Sequence, residues 1–394
     1  MQSDAQKYAL RGVSANKTDV HNAIQNLDKG LFPTAFCKIL PDFAAGDSDY
    51  CNIMHADTAG TKTSLAYIYW RETGDLSVWR GIVQDSIVMN LDDMACVGCT
   101  NDIILSSTIG RNKNLISGDV VKTLIEATVE FAEKMRLYGV NIHLAGGETA
   151  DVGDIVRTID VGYTAFARMK RRDLVINDVQ VGDVIVGFSS SGQAVYEDEY
   201  NGGMGSNGLT SARHDVLNDI YQTQYPESFS PETPLSVVYT GNKKLTDTLE
   251  IENRSITVGK LLLSPTRTYL PLLKSLLENT EREKIHGIIH NTGGGQTKVL
   301  KFVKNRHIVK NNLFNVPPLF KMIQSESATD WREMYQVFNM GHRLEIYCDE
   351  KIAENLVAVG KMFNIDAQII GYVTDSESNR ETLTIDSPQG IFNY

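Results

Sequence analysis

Directly after a strand-like run ending at His55, the string Asp57-Thr58-Ala59-Gly60-Thr61-Lys62 offers a carboxylate, a glycine turn and an ammonium in one short stretch. A strand end followed by such a turn can present a metal-binding carboxylate and free backbone amides to a polyphosphate. An ordinary turn has the same pattern, and the string is not a Walker A loop, in which glycine and lysine are adjacent. Asp92-Asp93 closes the run Asp85 to Leu91, which is apolar at helical spacing. Adjacent carboxylates cannot share one helix face, so one is expected in solvent and the other in a site. Glu148 sits in Leu144-Ala145-Gly146-Gly147-Glu148, read as a strand end followed by a glycine turn. Carboxylates at 57, 93 and 148 would suit magnesium and nucleotide phosphates if they converge; otherwise they mark plain turns.

Other strings are weighed in the same way. His290 precedes Asn291-Thr292-Gly293-Gly294-Gly295, whose amides can wrap a phosphate or merely form a wide turn. Ser206-Asn207-Gly208 is a capping-competent entry to a helix at Leu209, where an anion could sit. Gly203-x-Gly205-x-x-Gly208 matches the dinucleotide fingerprint formally, but Glu197 to Asn201 is too polar to be its buried strand, and a Rossmann site is rejected. Cys96-Val97-Gly98-Cys99 lacks a second pair, so buried free thiols are expected rather than zinc. His286 and His290 fall in an expected strand, about 13 Å apart along the chain, and cannot share one metal.

The elements that must position these groups alternate in type. Cys51 to His55, Ile103 to Ser106, Val140 to Leu144 and Ile155 to Met169 read as strands. After Ser117, a good N-cap, Val121, Leu124, Ile125, Thr128, Phe131 and Met135 give one apolar helix face, and Gly139 offers the stop. Farther on, Val184 to Phe188, Ile285 to Ile289, Leu344 to Tyr347 and Gln368 to Val373 read as strands, and Leu209 to Tyr221, Tyr269 to Leu277 and Glu354 to Met362 as helices. The class is α/β or α+β, divided into domains 1–178 and 179–394. The weakly periodic stretches 193–206 and 222–258 are expected to be surface insertions.

Composition narrows the function. The chain has 394 residues, 42% hydrophobic and 22% charged, as an ordinary globular protein has. A net charge of -11 argues against nucleic acid and anionic membranes as partners. Met1 to Leu10 has no basic or apolar leader pattern, no long apolar run occurs, and five cysteines imply no disulfide framework, so a cytoplasmic location is expected.

Taken in order, Asp57 to Lys62, Asp93, Gly146 to Ala150, Ser190-Ser191-Gly192 with Ser206-Asn207-Gly208, Pro265-Thr266-Arg267, His290 to Gly295, Val316 to Phe320 and Phe338-Asn339-Met340-Gly341 resemble the phosphoribosylformylglycinamidine cyclo-ligase (AIR synthetase) family. Tyr8 to Val13 and Ile370 to Val373 extend the likeness toward both ends. The resemblance implies two α/β domains, the first contributing strands to a β-barrel shared in a homodimer, and the second a mixed α/β domain. It implies that ATP activates the formyl oxygen of formylglycinamidine ribonucleotide, that a nitrogen of the same molecule closes the ring, and that aminoimidazole ribonucleotide, ADP and phosphate result. Asp57, Asp93 and Glu148 are then expected to bind ATP through magnesium, Lys62 to touch phosphate, and Gly60 and Thr61 to supply the turn. Ser191, Ser206, Asn207 and Gly293, Gly294 and Gly295 are expected on the substrate side, and a monovalent cation can accompany them.

The departures are specific. Gly30-Leu31-Phe32-Pro33 replaces a Gly-Gly-Phe-Gly segment, Gly205 stands where the family has histidine, Asp92 replaces asparagine, and Gln296-Thr297-Lys298 differs from the usual tail of the glycine string. Ring closure is expected to survive them, with the 193–205 insertion or another polar residue near Ser206 compensating for Gly205. Rivals are other ATP-dependent enzymes of the superfamily and a paralogue that binds nucleotide without catalysis.

Overall fold

The computed structural model describes residues 9–13, 22–23, 26–378 and 380–394. Tyr8, one end of the N-terminal likeness, lies outside them. Strands β1 (Ile39–Pro41), β2 (Tyr50–Thr58), β3 (Ile103–Arg111), β4 (Ile142–Asp151) and β5 (Ile159–Lys170) form one sheet in the order β1-β2-β5-β3-β4. Helices α1 (Lys62–Thr73), α2 (Val78–Ala95) and α3 (Gly118–Arg136) accompany it. β3 and β4 are parallel, which requires a crossover, and α3 supplies it.

α3 is amphipathic, with Val120, Leu124, Ala127, Phe131 and Met135 buried, but the face is turned from the expected one: Val121 and Thr128 are half-buried and Ile125 is 53% exposed. Ser117 takes the N-cap position with extended backbone but makes no side-chain cap bond, and Gly139 stops the chain at a φ of +76°. α2 is buried almost all round, carboxylates included, because it packs on the sheet with one side and meets the following domain with another.

The second sheet has the order β14-β13-β10-β12-β6-β11-β9. Its strands are β6 (Val184–Ser189), β9 (Ile285–His290), β10 (Arg306–Lys310), β11 (His342–Cys348), β12 (Ala367–Asp375), β13 (Thr382–Ser387) and β14 (Gly390–Asn393), while β7 (Thr248–Ile251) and β8 (Arg254–Thr257) make a separate hairpin. Its longer helices are α4 (Leu209–Val216), α5 (Leu270–Asn279), α6 (Pro318–Ser327) and α7 (Glu350–Met362). The architecture is mixed α/β in two parts, and the five-stranded sheet of the single chain is open rather than closed. No helix among the described residues is long and apolar enough to cross a membrane.

Three local expectations need correction. The helix from Leu209 ends at Val216, because Leu217 and Asn218 turn extended and bridge to Lys243 and Gly241. The strand ending at Met169 begins at Ile159 rather than Ile155. The stretch 193–206 is not a surface insertion, since Ala194, Tyr196 and Met204 are buried, whereas 222–258 is mostly exposed and anchors Phe229, Val238, Tyr239 and Leu245 in the core. In the first stretch Glu197 is paired inside with Arg267 at 2.5 Å, and irregular backbone carries no period to read.

Candidate active site

The site is built around α2. Asp85 and Asp92, two turns apart on one helix side, both face the Ser264 to Tyr269 segment of the second domain. Asp85 Oδ1 accepts from Lys62 Nζ (2.8 Å), the Thr266 amide (2.8 Å) and the Thr266 hydroxyl (2.6 Å). Asp92 accepts from the Thr268 hydroxyl and the Tyr269 amide, each at 2.7 Å. Neither member of the Asp92-Asp93 pair is solvated, contrary to expectation, because the second domain covers the helix end. Asp93 points elsewhere, accepting at Oδ1 from His290 Nδ1 (2.7 Å) with Oδ2 3.6 Å from His55 Nε2.

Arg343, on β11, completes this line. Its Nε donates to His290 Nε2 at 2.9 Å. A guanidinium can only donate, so Nε2 is the accepting nitrogen and the His290 proton sits on Nδ1, directed at Asp93. Burial holds the imidazole down at about 4, so it is neutral near pH 7. Burial alone would raise the Asp93 carboxyl; the His290 hydrogen bond and nearby positive charge, Lys298 included, outweigh it and keep the acid below its ordinary value. The buried Asp92 carboxyl is pushed up by burial to about 7, against the donors from Thr268 and Tyr269.

This makes a stability prediction. A carboxyl whose folded pKa lies above its unfolded value binds its proton more tightly when folded, so its contribution falls as pH rises from about 4 to about 7 and is constant above. Urea unfolding of the wild type and Asp92→Asn at pH 4.5 and pH 8, values about half a unit above the unfolded pKa and about one above the folded one, isolates this contribution. The stability of Asp92→Asn relative to wild type is expected to rise between the two pH values, by up to about 3 kcal/mol. A pH-independent difference refutes the buried-acid reading.

The expected site residues divide into those that meet and those that do not. Gly60 lies at a φ of +61° with open space before it, and the Thr61 hydroxyl shares a 2.7 Å hydrogen bond with Thr210 in the first turn of α4. Asn207, just before α4, stands with its Oδ1 3.5 Å from Arg343 Nη2 and its Nδ2 3.7 Å from where a side chain on Gly293 would begin. Contacts thus link His55, Asp93, His290, Arg343 and Asn207, with Gly293 beside Asn207, in one buried line between the domains, while Gly60 and Thr61 meet the second domain separately, at Thr210. Ser206 joins them, its hydroxyl oxygen buried without a hydrogen-bond partner.

Lys62 does not join. It is buried, bonded to Asp85 and to the Ser264 carbonyl (2.6 Å), and ties the first domain to the second instead of facing the cleft. Asp57 lies inside β2 rather than in a turn, because the strand extends to Thr58. Glu148 likewise lies within β4, whose pairing with β3 runs on past Gly146 and Gly147. Register places Thr58, Gly162, Thr108 and Glu148 in one row on the open face of the sheet, and Asp57 next to that row on the opposite face. Three strand spacings, about 14 Å, separate the strands of Asp57 and Glu148. Accordingly, among the described residues no group of three His, Cys, Asp or Glu side chains could hold a metal.

Ser191 contributes its carbonyl to Arg267 (2.9 Å), behind the cleft. Gly294 takes a φ of +101°, while Gly295 is required by packing: a β-carbon there would lie 2.5 Å from the Phe338 carbonyl oxygen. Gly30 to Pro33 precedes β1 and lies against its start, with the Leu31 amide donating to the Ile39 carbonyl at 2.9 Å. The five cysteines are buried and free, as expected.

Sequence reasoning missed His55, Asn90 (3.0 Å from His55 Nδ1), Lys298 and Arg343 and treated His290 only as a strand end. The available sign was position: His290 ends a strand immediately before the glycine loop, and Arg343 follows the Phe338 to Gly341 string.

Comparison with known proteins bears on the whole chain. Residues 37–169 match the N-terminal domain of AIR synthase related proteins, and residues 180–384 match their C-terminal domain. The chain is 30% identical over 330 residues to a phosphoribosylformylglycinamidine cyclo-ligase of Methanocaldococcus jannaschii, covering 83% of this chain and 79% of that one. It is 25% identical over 384 residues to a cyclo-ligase of Methanosarcina mazei, covering 97% and 92%. Among solved structures, a chain of the HypE-HypF complex superposes with a TM-score of 0.54 at 15% identity, covering 97% of this chain and 98% of that one. PurLQS of Thermotoga maritima superposes with a TM-score of 0.55 at 11% identity, and there the chain spans 99% of itself but only 50% of the other. These likenesses concern the fold, whereas the two domain matches cover most of the sequence, and the chain belongs to the AIR synthase related protein family.

Proposed function

We propose that the chain catalyses ATP-dependent ring closure of formylglycinamidine ribonucleotide to aminoimidazole ribonucleotide, with release of ADP and phosphate, in purine biosynthesis. The observation that carries this reading is the likeness, over 83% of the chain, to a relative named phosphoribosylformylglycinamidine cyclo-ligase. The formyl oxygen attacks the γ-phosphorus as the bond to ADP breaks. A nitrogen of the same molecule then forms the C–N bond, the C–O bond to phosphate breaks, and a proton leaves with the solvent. Phosphate is a far better leaving group than an amide oxygen, so the protein's task is alignment and charge neutralisation.

On this reading the Gly60-Thr61 turn lies on the nucleotide side of the cleft and Ser206, Asn207 and Gly293 on the substrate side. Ser206 has a buried hydroxyl oxygen to satisfy, which suits a polar ligand. Asp93 keeps an ionised carboxylate with one oxygen not bonded to His290, and Asp57 offers a half-buried one from the neighbouring strand. Magnesium binds through one or two carboxylates, completing its shell with waters and phosphates, so this donor set fits without a three-residue cage. When bound there, the ion would neutralise phosphate charge. Lys62 acts indirectly, by fixing α1 and α2 against the Ser264 segment.

The division into domains falls between residues 178 and 179, between the last strand of one sheet and the first of the other, and a cytoplasmic location accords with the pathway. A homodimer accords with the open face of the five-stranded sheet, where Met54, Phe166 and Ile104 share a row and Met54 and Ile104 are 59% and 43% exposed. Glu148 lies on that face and reaches a nucleotide only if a second copy covers it. Light scattering is expected to give twice the 43.8 kDa chain mass. A monomer at micromolar concentration rejects the dimer.

Steady-state ATP hydrolysis with and without formylglycinamidine ribonucleotide tests the function. Substrate-dependent ADP release with formation of the imidazole is expected, together with rescue of a purine-requiring cell that disappears with Asp57→Ala. Folded protein without either activity would instead assign a nucleotide-binding paralogue.

A further inference from the structure

Gly205 has a φ of +67°, where side chains are strained, and a β-carbon there would lie 1.5 Å from Arg343 Nη1 and 2.7 Å from its Cζ. The guanidinium of Arg343 therefore fills the space in front of position 205, delivered from β11 rather than from the 193–205 stretch. It is fully buried, and among the described residues no carboxylate forms an ion pair with it. Its contacts are His290 Nε2 at 2.9 Å from Nε, and Met89 Sδ at 3.3 Å and Asn207 Oδ1 at 3.5 Å from Nη2. A cation taken out of water without a direct counter-ion is costly, so its presence at this junction calls for a task.

We propose that Arg343 is the positioning residue of the cleft: it confines His290 to the tautomer that donates to Asp93, and its other edge holds Asn207 on the substrate side. A neutral imidazole has one N–H. If Nε2 carried it, Nε2–H would face the Arg343 N–H and bare Nδ1 would face the Asp93 carboxylate, so both hydrogen bonds would be lost together. Arg343 thereby keeps one Asp93 oxygen bonded to His290 and leaves the other to the nucleotide side. The use made of that oxygen rests on the proposed function, whereas the positioning is a property of the unliganded chain. Gly205 belongs to the same device, since any side chain there would displace the guanidinium.

The test reads the His290 ring nitrogens of the full chain by 1H–15N NMR, assigned with His290→Gln, beside near-UV circular dichroism for the fold. The wild type is expected to show Nδ1 protonated and Nε2 bare. Arg343→Met and Gly205→Ala should each give mixed tautomers, the second with the arginine still present, and Arg343→Lys, which retains a donor, should keep the wild-type form. Turnover in Arg343→Met and Gly205→Ala should fall by about 10- to 100-fold, with a smaller change in KM for ATP. The double variant should be no worse than its poorer parent. An unchanged His290 spectrum in both single variants, or losses that multiply in the double variant, overturns the proposal. If Arg343→Met does not fold, Gly205→Ala and Arg343→Lys decide it alone. Tautomers that follow Arg343 in a chain without ring-closing activity would support the positioning and reject the proposed function.

Discussion

Asp93→Asn is expected to lower magnesium-dependent ATP turnover by about 10²- to 10³-fold, the loss typical of removing one electrostatic partner of a reacting charge. The substitution is nearly isosteric. Its amide oxygen can still accept from His290 Nδ1, which now reaches Asp93 Oδ1 at 2.7 Å, so the fold and the line from His290 to Arg343 should persist. What disappears is the negative charge opposite a divalent ion, which a neutral amide cannot replace. Turnover measured across a magnesium titration, with circular dichroism as the control for folding, checks this. Wild-type turnover at saturating magnesium in a folded Asp93→Asn protein would remove Asp93 from the site.

Lys62→Met should act on stability instead. Lys62 and Asp85 are both fully buried, and removal of the ammonium leaves a charged carboxylate with only the Thr266 amide and hydroxyl. Breaking one side of a buried ion pair costs about 3–5 kcal/mol. Chemical denaturation should show that loss, and the double variant Lys62→Met with Asp85→Asn should recover part of it because the uncompensated charge is gone. Unaltered stability with a raised KM for ATP would reverse the assignment and return Lys62 to a phosphate contact.

These two residues show how far a motif carries. Asp57, Gly60, Thr61, Lys62 and Asp93 were all noticed for residue type and spacing, yet type does not determine which way a side chain faces. Lys62 begins a helix whose first turn points inward. Glu148 was read as following a strand, but β4 runs on through Gly146 and Gly147 to Asp151, and strand alternation then turns Glu148 to the open face. One of Asp92 and Asp93 is expected in solvent because adjacent helix positions diverge, and they do diverge, but the second domain meets both carboxylates.

The sequence by itself determined the α/β class, the amphipathic helix Gly118–Arg136, most strand locations and the order of the strings that carry the family likeness. Each of these depends on residues close together in the chain: periodicity of 2 or 3.6, glycine at a positive φ, a proline tolerated in the first turn of Leu270–Asn279. Only the tertiary structure decided that Arg343 meets Asn207 across 136 residues, that Glu197 and Arg267 make an interior of an apparent insertion, and that Asp93 touches His290. Such contacts join elements that pack only after each has formed, and their energy comes from burying polar groups in pairs, for which no local period exists.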